Sequence, residues 1–207
     1  MKGVSPIQVP DGLQTVLLHA CCAPCSSAIV EWLLAHAITP TIYYFNPNIF
    51  PEEEYIIRKQ ESQRHADSLG IRWIDGDYDH AAWRDSVCGL EHEPERGGRC
   101  AVCFRHRLLA TARMAQQEGI PWFATTLASS RWKSLDQINA AGLWAQEQLR
   151  SPLTAHRSPL TAHRSPLFWA QNWRKGGLQQ RRNELLRQFS FYNQQYCGCE
   201  FSIRTAD

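Results

Sequence analysis

The residues of this 207-residue chain best suited to chemistry are its eight cysteines, and their spacing sorts them into groups. Cys21-Cys22-Ala-Pro-Cys25 puts three thiols in five positions, Cys100-Ala-Val-Cys103 is a CxxC, and Cys197-Gly-Cys199 is a CxC. A CxxC at the start of a helix presents both sulfurs on one face, because positions i and i+3 are neighbours there. The preceding Gly97-Gly98 lets the backbone approach closely. Five thiols in two groups exceed what a four-cysteine zinc site needs and suit an iron–sulfur cluster with one thiol to spare; a structural zinc is the plainer alternative. The radical-SAM spacing C-x3-C-x2-C is not met. A disulfide between Cys197 and Cys199 would close a tight ring, and strain makes such bonds reducible. The pair therefore reads as redox-active, or else as two further metal ligands. Cys88 stands alone, and the default for it is an inert buried thiol.

The elements that must carry these groups follow from hydrophobic patterning. Thr15 to Ala20 is an apolar run of buried-strand character, and Ser26 to Ala37 has helical spacing in Ile29, Val30, Leu33 and Leu34. Further strands are expected at Thr41–Phe45, Ile71–Ile74 and Pro121–Thr126. Helices are expected at Glu52–Leu69, ended by Gly70, and at Arg99–Glu118, ended by Gly119. Alternating strands and helices imply an α/β fold, a mostly parallel sheet with flanking helices. After about residue 132 the strands stop, and helices are predicted at Ser134–Leu149 and Leu178–Gln194. The expectation is one domain over residues 1–207, with an α/β core over 1–131 and a helical C-terminal part over 132–207. Cys21, Cys22 and Cys25 then follow the first strand, where open α/β sheets bind ligands. Neither GxGxxG nor GxxxxGK[ST] occurs, so the layout is nucleotide-binding-like without a phosphate loop. A helix N-terminus at this turn would help hold thiolates, the form that binds metal.

With 43% hydrophobic and 20% charged residues, disorder, collagen-like repeats and coiled coil are poor readings. No apolar run approaches a membrane span, and the N-terminus lacks the apolar core of a signal peptide. A cytoplasmic protein with reduced thiols is expected, which argues against a secreted disulfide framework. The net charge of +2 hides an uneven distribution: eight basic residues between Arg150 and Arg187 face Glu184 alone, +7 locally, leaving −5 elsewhere. Such a stretch suits RNA or a solvated helix face. Within it Arg150-Ser-Pro-Leu-Thr-Ala-His repeats from Arg157 and again in part from Arg164, too short for a solenoid and too rich in proline for a helix. We read residues 150–167 as a tandem duplication lengthening a loop. Trp169 and Trp173 either pack or stack on a base; Trp32, Trp73, Trp122 and Trp144 fall in core patterns. His19, just before the cysteines, is either a satisfied core histidine or a proton donor beside them. No Ser/His/Asp arrangement or HExxH supports a hydrolase.

Taken in order, these motifs resemble the QueH family of epoxyqueuosine reductases. The resemblance rests on Leu18-His-Ala-Cys-Cys-Ala-Pro-Cys25, Asn46-Pro-Asn-Ile49 with Glu54-Tyr55 and Arg58, Asp77-Tyr-Asp79, Glu93-Pro-Glu-Arg-Gly-Gly-Arg-Cys-Ala-Val-Cys103, Thr125-Thr-Leu127 and Gln195-Tyr-Cys-Gly-Cys-Glu-Phe-Ser202. It covers nearly the whole chain, and the repeat departs from it. The resemblance implies a 4Fe–4S cluster on Cys21, Cys22, Cys100 and Cys103, a redox-active disulfide between Cys197 and Cys199, and an additional iron beside the cluster. For that iron, Cys25 and one of Asp77 or Asp79 are the candidate ligands. It further implies two-electron reduction of the epoxide of epoxyqueuosine at the wobble position of tRNA, with tRNA and an external electron donor as partners. A zinc-stabilised RNA-binding module without catalysis and a metal-free thiol–disulfide oxidoreductase using Cys100 and Cys103 are the alternatives.

Overall fold

The computed structural model describes residues 7–150 and 165–203. Strands β1 (Thr15–His19), β2 (Thr39–Tyr44), β3 (Trp73–Asp75), β4 (Trp122–Thr125) and β5 (Leu167–Phe168) form one all-parallel sheet in the order β3-β2-β1-β4-β5. The helices are α1 (Ala23–Ala35), α2 (Glu52–Ser68), α3 (His80–Ser86), α4 (Gly98–Gln117), α5 (Leu135–Arg150) and α6 (Leu178–Gln188). The expected α/β class is what the structure has.

The central strand β1 is buried on both faces, with Val16, Leu17 and Leu18 inaccessible, as a parallel strand covered by helices must be. It pairs with β2 from Thr15–Thr39 to His19–Tyr43, and with β4 from Leu17–Phe123 to His19–Thr125. The chain winds from β1 outward through β2 and β3, then returns to the other side of β1 as β4. The order reverses between β1 and β4, so the crevice lies beyond their carboxyl ends.

Four sequence expectations need correction. Helix α1 starts at Ala23, not Ser26, because Pro24 in its first turn has the backbone angle a helix requires. Strands do not stop at residue 132. Leu167 and Phe168 extend the sheet beside Trp122 and Phe123, too briefly to show any period. Phe168 also packs on α5, where a Cβ at Gly142 would lie 2.3 Å from its ring. Helix α6 stops at Gln188, since Ser190 turns left-handed and sends Phe191 back into the core. Helix α3 lies in a segment whose short polar pattern had shown no helix. Most of the duplicated heptads, residues 151–164, lies outside the described residues.

Candidate functional site

Cys21 and Cys22 leave the end of β1 directly into α1, and Cys25 sits in that helix's first turn. The sulfurs of Cys21, Cys22 and Cys25 all lie within 4.8 Å of one another, the one group of three or more potential metal ligands among the described residues. The turn is pinned from β4: the Cys21 amide donates to Thr126 Oγ1 at 3.2 Å, and that hydroxyl donates to Cys21 Sγ at 3.4 Å. Cys22 is the N-cap residue, extended, with no side-chain cap, so amides of the first turn point at the thiols. Its thiol lies 3.9 Å from Cys21 Sγ.

These contacts divide the charge. Hydrogen bonds from Cys22 and Cys25, helped by Lys133 and Thr126, hold Cys21 well below the ordinary thiol range. Cys22 is raised, by its hydrogen bonds to Cys21 and Cys25 and by burial. Cys25, chiefly through its hydrogen bond to Cys21, is pushed up to about 12. One thiolate among three close sulfurs is a soft donor set. Two sulfurs about 2.3 Å from one tetrahedral metal stand roughly 3.8 Å apart, which the Cys21–Cys22 separation meets. The turn therefore fits a thiophilic metal centre.

A second group joins the start of α4 to the C-terminal turn. Cys100, in the first turn of α4, accepts from the Arg96 amide at 3.3 Å. Cys103 is buried with Cys199, Trp83 and Val87. Burial raises Cys100, and the charges of Cys103 and Cys197 add to it. Cys197 and Cys199 are free thiols. Cys199 donates to Cys197, which with Lys133 and Ser202 holds Cys197 well below the ordinary range, while Cys199 is raised.

The C-terminal turn is hung on side chains of α2. Buried Arg58 pairs with Glu54 at 2.5 Å and donates to the carbonyls of Tyr196 and Cys197 at 3.3 and 3.4 Å. Tyr192 closes the network on Glu54 at 2.7 Å. Gly198 has φ +103° and gives its carbonyl to the Phe50 amide at 2.9 Å; a Cβ there would meet Ile49 at 2.8 Å. Only glycine combines that angle with that closeness.

Lys133 has its charge within reach of both thiolates. Burial alone would lower its ammonium, yet the charges of Cys197, Cys21 and Cys25 outweigh burial and raise it. The residue follows the turn after β4. The sequence signal that could have marked it is a pair of cations, Arg131 and Lys133, just past Thr125-Thr126-Leu127 at the carboxyl end of a central strand. Arg182 of α6, whose charge reaches Cys25, is another such residue.

The other anticipated residues fall as follows. Cys25 joins Cys21 and Cys22, whereas Cys100 and Cys103 lie outside that group and approach Cys197 and Cys199. Asp77 and Asp79 are both exposed and join no group of ligands, and Asp79 caps α3 by accepting from the Ala82 amide at 2.8 Å. His19 is the satisfied core histidine. Its Nε2 faces the Phe45 carbonyl at 3.0 Å and so carries the proton, which leaves Nδ1 to accept from Thr125 at 2.8 Å. Burial, with Arg107 nearby, lowers it to about 3, so it stays neutral. Cys88 is exposed, against the expectation of burial, because it follows the end of the surface helix α3. Trp169 and Trp173 are buried and bind the carbonyls of Gln8 and Thr125. Of the basic stretch, Arg181 is paired with Glu31 and Glu184, and Arg174 holds backbone carbonyls.

The sequence matches a family described as Epoxyqueuosine reductase QueH over residues 16–205, a span that includes all three cysteine groups. A protein of that name from Haemophilus influenzae is 43% identical over 201 residues, covering 97% of this chain and 76% of that protein. The one from Acinetobacter baylyi is 40% identical over 198 residues, 96% of this chain and 84% of that protein. The one from Thermotoga maritima is 31% identical over 194 residues, 91% of this chain and 90% of that protein.

Proposed function

Since this chain belongs to the epoxyqueuosine reductase QueH family, we propose that it reduces the epoxide of epoxyqueuosine in tRNA to the alkene of queuosine, at the wobble position. The reaction takes up two electrons and two protons and releases water. The observation that carries the reading is the thiol cluster Cys21, Cys22 and Cys25 at the sheet's switch point, with Cys21 kept as thiolate. Family membership leaves a non-catalytic zinc module and a metal-free thiol oxidoreductase without support.

Within this reading Cys21, Cys22, Cys100 and Cys103 would hold a 4Fe–4S cluster, and Cys25 with Asp77 or Asp79 would serve an additional iron. Such a cluster supplies electrons one at a time. The protein's own groups do the rest. Thr126 orients Cys21, Asn46 ties the ends of β1 and β2 by donating to the Ala20 carbonyl at 2.9 Å, and Arg107 donates to Asn46. Cys197 and Cys199, one thiolate and one thiol in contact, form the redox pair: losing two electrons and one proton they close a disulfide, and an external donor reopens it. Lys133 sits where an ammonium offsets negative charge on sulfur, and on the epoxide oxygen as it leaves. The substrate base is splayed from the anticodon loop into the crevice above Cys21 and Cys22, the usual route by which a modifying protein reaches a base. A protein of this activity works in the cytoplasm, and no helix among the described residues is long and apolar enough to cross a membrane.

The test is anaerobic purification with iron and sulfide analysis, followed by assay on epoxyqueuosine-containing tRNA. Brown protein with iron, sulfide and turnover is expected. Metal-free protein that still reduces the epoxide would overturn the mechanism.

A further inference from the structure

Seven of the eight tryptophans are buried or half-buried, and Trp132 is 68% exposed, the most exposed large apolar side chain among the described residues. It does not ride on a loose loop. Arg174 donates to the carbonyls of Ser130 and Lys133 at 2.6 and 2.8 Å. Arg96 donates to those of Arg131 and Trp132 at 3.1 and 2.9 Å. Four consecutive carbonyls are thus each held by a guanidinium, and the Arg96 amide is itself bound to Cys100 Sγ. The loop that turns Lys133 inward toward the cysteines turns Trp132 outward beside them. The Arg131 guanidinium stands 5.4 Å from the Trp132 ring centre. Arg96 and Arg131 are exposed and the charge of Arg182 reaches Cys25, so the mouth of the site is cationic around one bare aromatic face.

We propose that Trp132 is a stacking platform for a nucleobase flanking the substrate base in the single-stranded loop of the RNA, with Arg96, Arg131 and Arg182 facing the adjacent phosphates. The inference rests on the reading that this chain acts on tRNA. A rigid indole at the entrance offers a π-face that any unpaired base can use, and duplex RNA presents no such base. The cations favour a polyanion over a second copy of a chain that carries the same cations.

The experiment measures binding of an unmodified RNA hairpin with the anticodon-arm sequence, and of a blunt RNA duplex of equal charge. It compares wild type, Trp132→Ala, Trp132→Phe and Arg131→Ala, with sedimentation and thermal melting of each. Trp132→Ala is expected to weaken the hairpin roughly 5- to 100-fold and the duplex not at all, while Trp132→Phe recovers most of the loss. Arg131→Ala should weaken both and flatten the salt dependence by about one ion. Unchanged hairpin affinity in Trp132→Ala would overturn the proposal, as would an equal loss on duplex or a loss that tracks dissociation of a dimer. If the variants behave as expected while wild type leaves the epoxide intact, the reductase reading fails and the platform stands.

Discussion

The two turns that face Lys133 reach the same electrostatic end by different means. At Cys21–Cys25 the backbone does the work: a buried parallel strand runs directly into a helix, and three sulfurs converge because 3.6-residue periodicity begins among them. At Cys197–Cys199 there is no regular element. The turn is suspended by Arg58, Glu54 and Tyr192, with a left-handed glycine at its centre. Each ends with one sulfur held as thiolate by a neighbouring S–H and by one shared ammonium. A turn built into the sheet can hold a metal centre rigidly, whereas a turn held by side chains can change its covalent state without disturbing the core.

That contrast is sharpest when one cysteine is removed from each side. Cys22→Ala should abolish metal-dependent visible absorption and turnover together. Cys199→Ala should abolish turnover and keep the absorption, and Cys88→Ala should keep both. Loss of absorption in Cys199→Ala would show that the C-terminal turn carries metal ligands, not a separate redox pair. Next in size, Arg58→Met strands the buried Glu54 carboxylate and removes the hooks on Tyr196 and Cys197. A cost of about 3–5 kcal/mol is expected, read as a lower denaturation midpoint, with iron content per folded molecule unchanged. The same test in milder form is Gly198→Ala, where a positive φ and contact with Ile49 should cost about 1–3 kcal/mol.

The shared ammonium is the point at which the two turns can be uncoupled. Lys133→Met keeps the stem and deletes the charge, and should lower kcat about 10²–10³-fold with both cysteine turns folded. Lys133→Arg should recover part of that loss. Equal activity in Lys133→Met would show that the thiolates need no common counter-ion.

How much of this was legible from sequence differs in the same way. Strand β1, the cysteines after it and the parallel sheet were readable, because apolar runs and cysteine spacing are local signals. Arg58 stood out only as part of a family resemblance, and its grip on residues 139 positions away leaves no local trace. Lys133 and Trp132 were missed for a related reason. Their roles depend on Arg96 and Arg174 arriving from distant parts of the chain to hold four carbonyls. Strand β5 was missed because two residues cannot display a period. Asp79 also caps α3, a use of aspartate at a helix start that its place in Asp77-Tyr-Asp79 does not announce.

The smallest expected effect is a pH dependence that belongs to the C-terminal region alone. His65 on α2 is buried edge-on to the rings of Phe189 and Phe191, where the chain leaves α6, and the next residue, Tyr192, is tied to Glu61 at 2.9 Å. Burial, reinforced by Arg64, lowers the His65 pKa below its ordinary 6.5, so the folded protein takes up this proton less readily than the unfolded chain. The neutral ring's contribution is complete above pH 6.5 and is lost as pH falls through the lowered value, because protonation then favours the unfolded chain. His65→Gln should therefore flatten the acid limb of the melting profile by no more than one proton, about 1.4 kcal/mol per pH unit. His19, lowered to about 3 and on the sheet side, goes on acting to lower pH and should remain in the variant's profile. If amide exchange in mild acid rises first around residues 189–199 and later at β1, the C-terminal turn is the separable one. Equal protection of both, lost together, would mean that the side-chain suspension is as cooperative with the core as the strand itself.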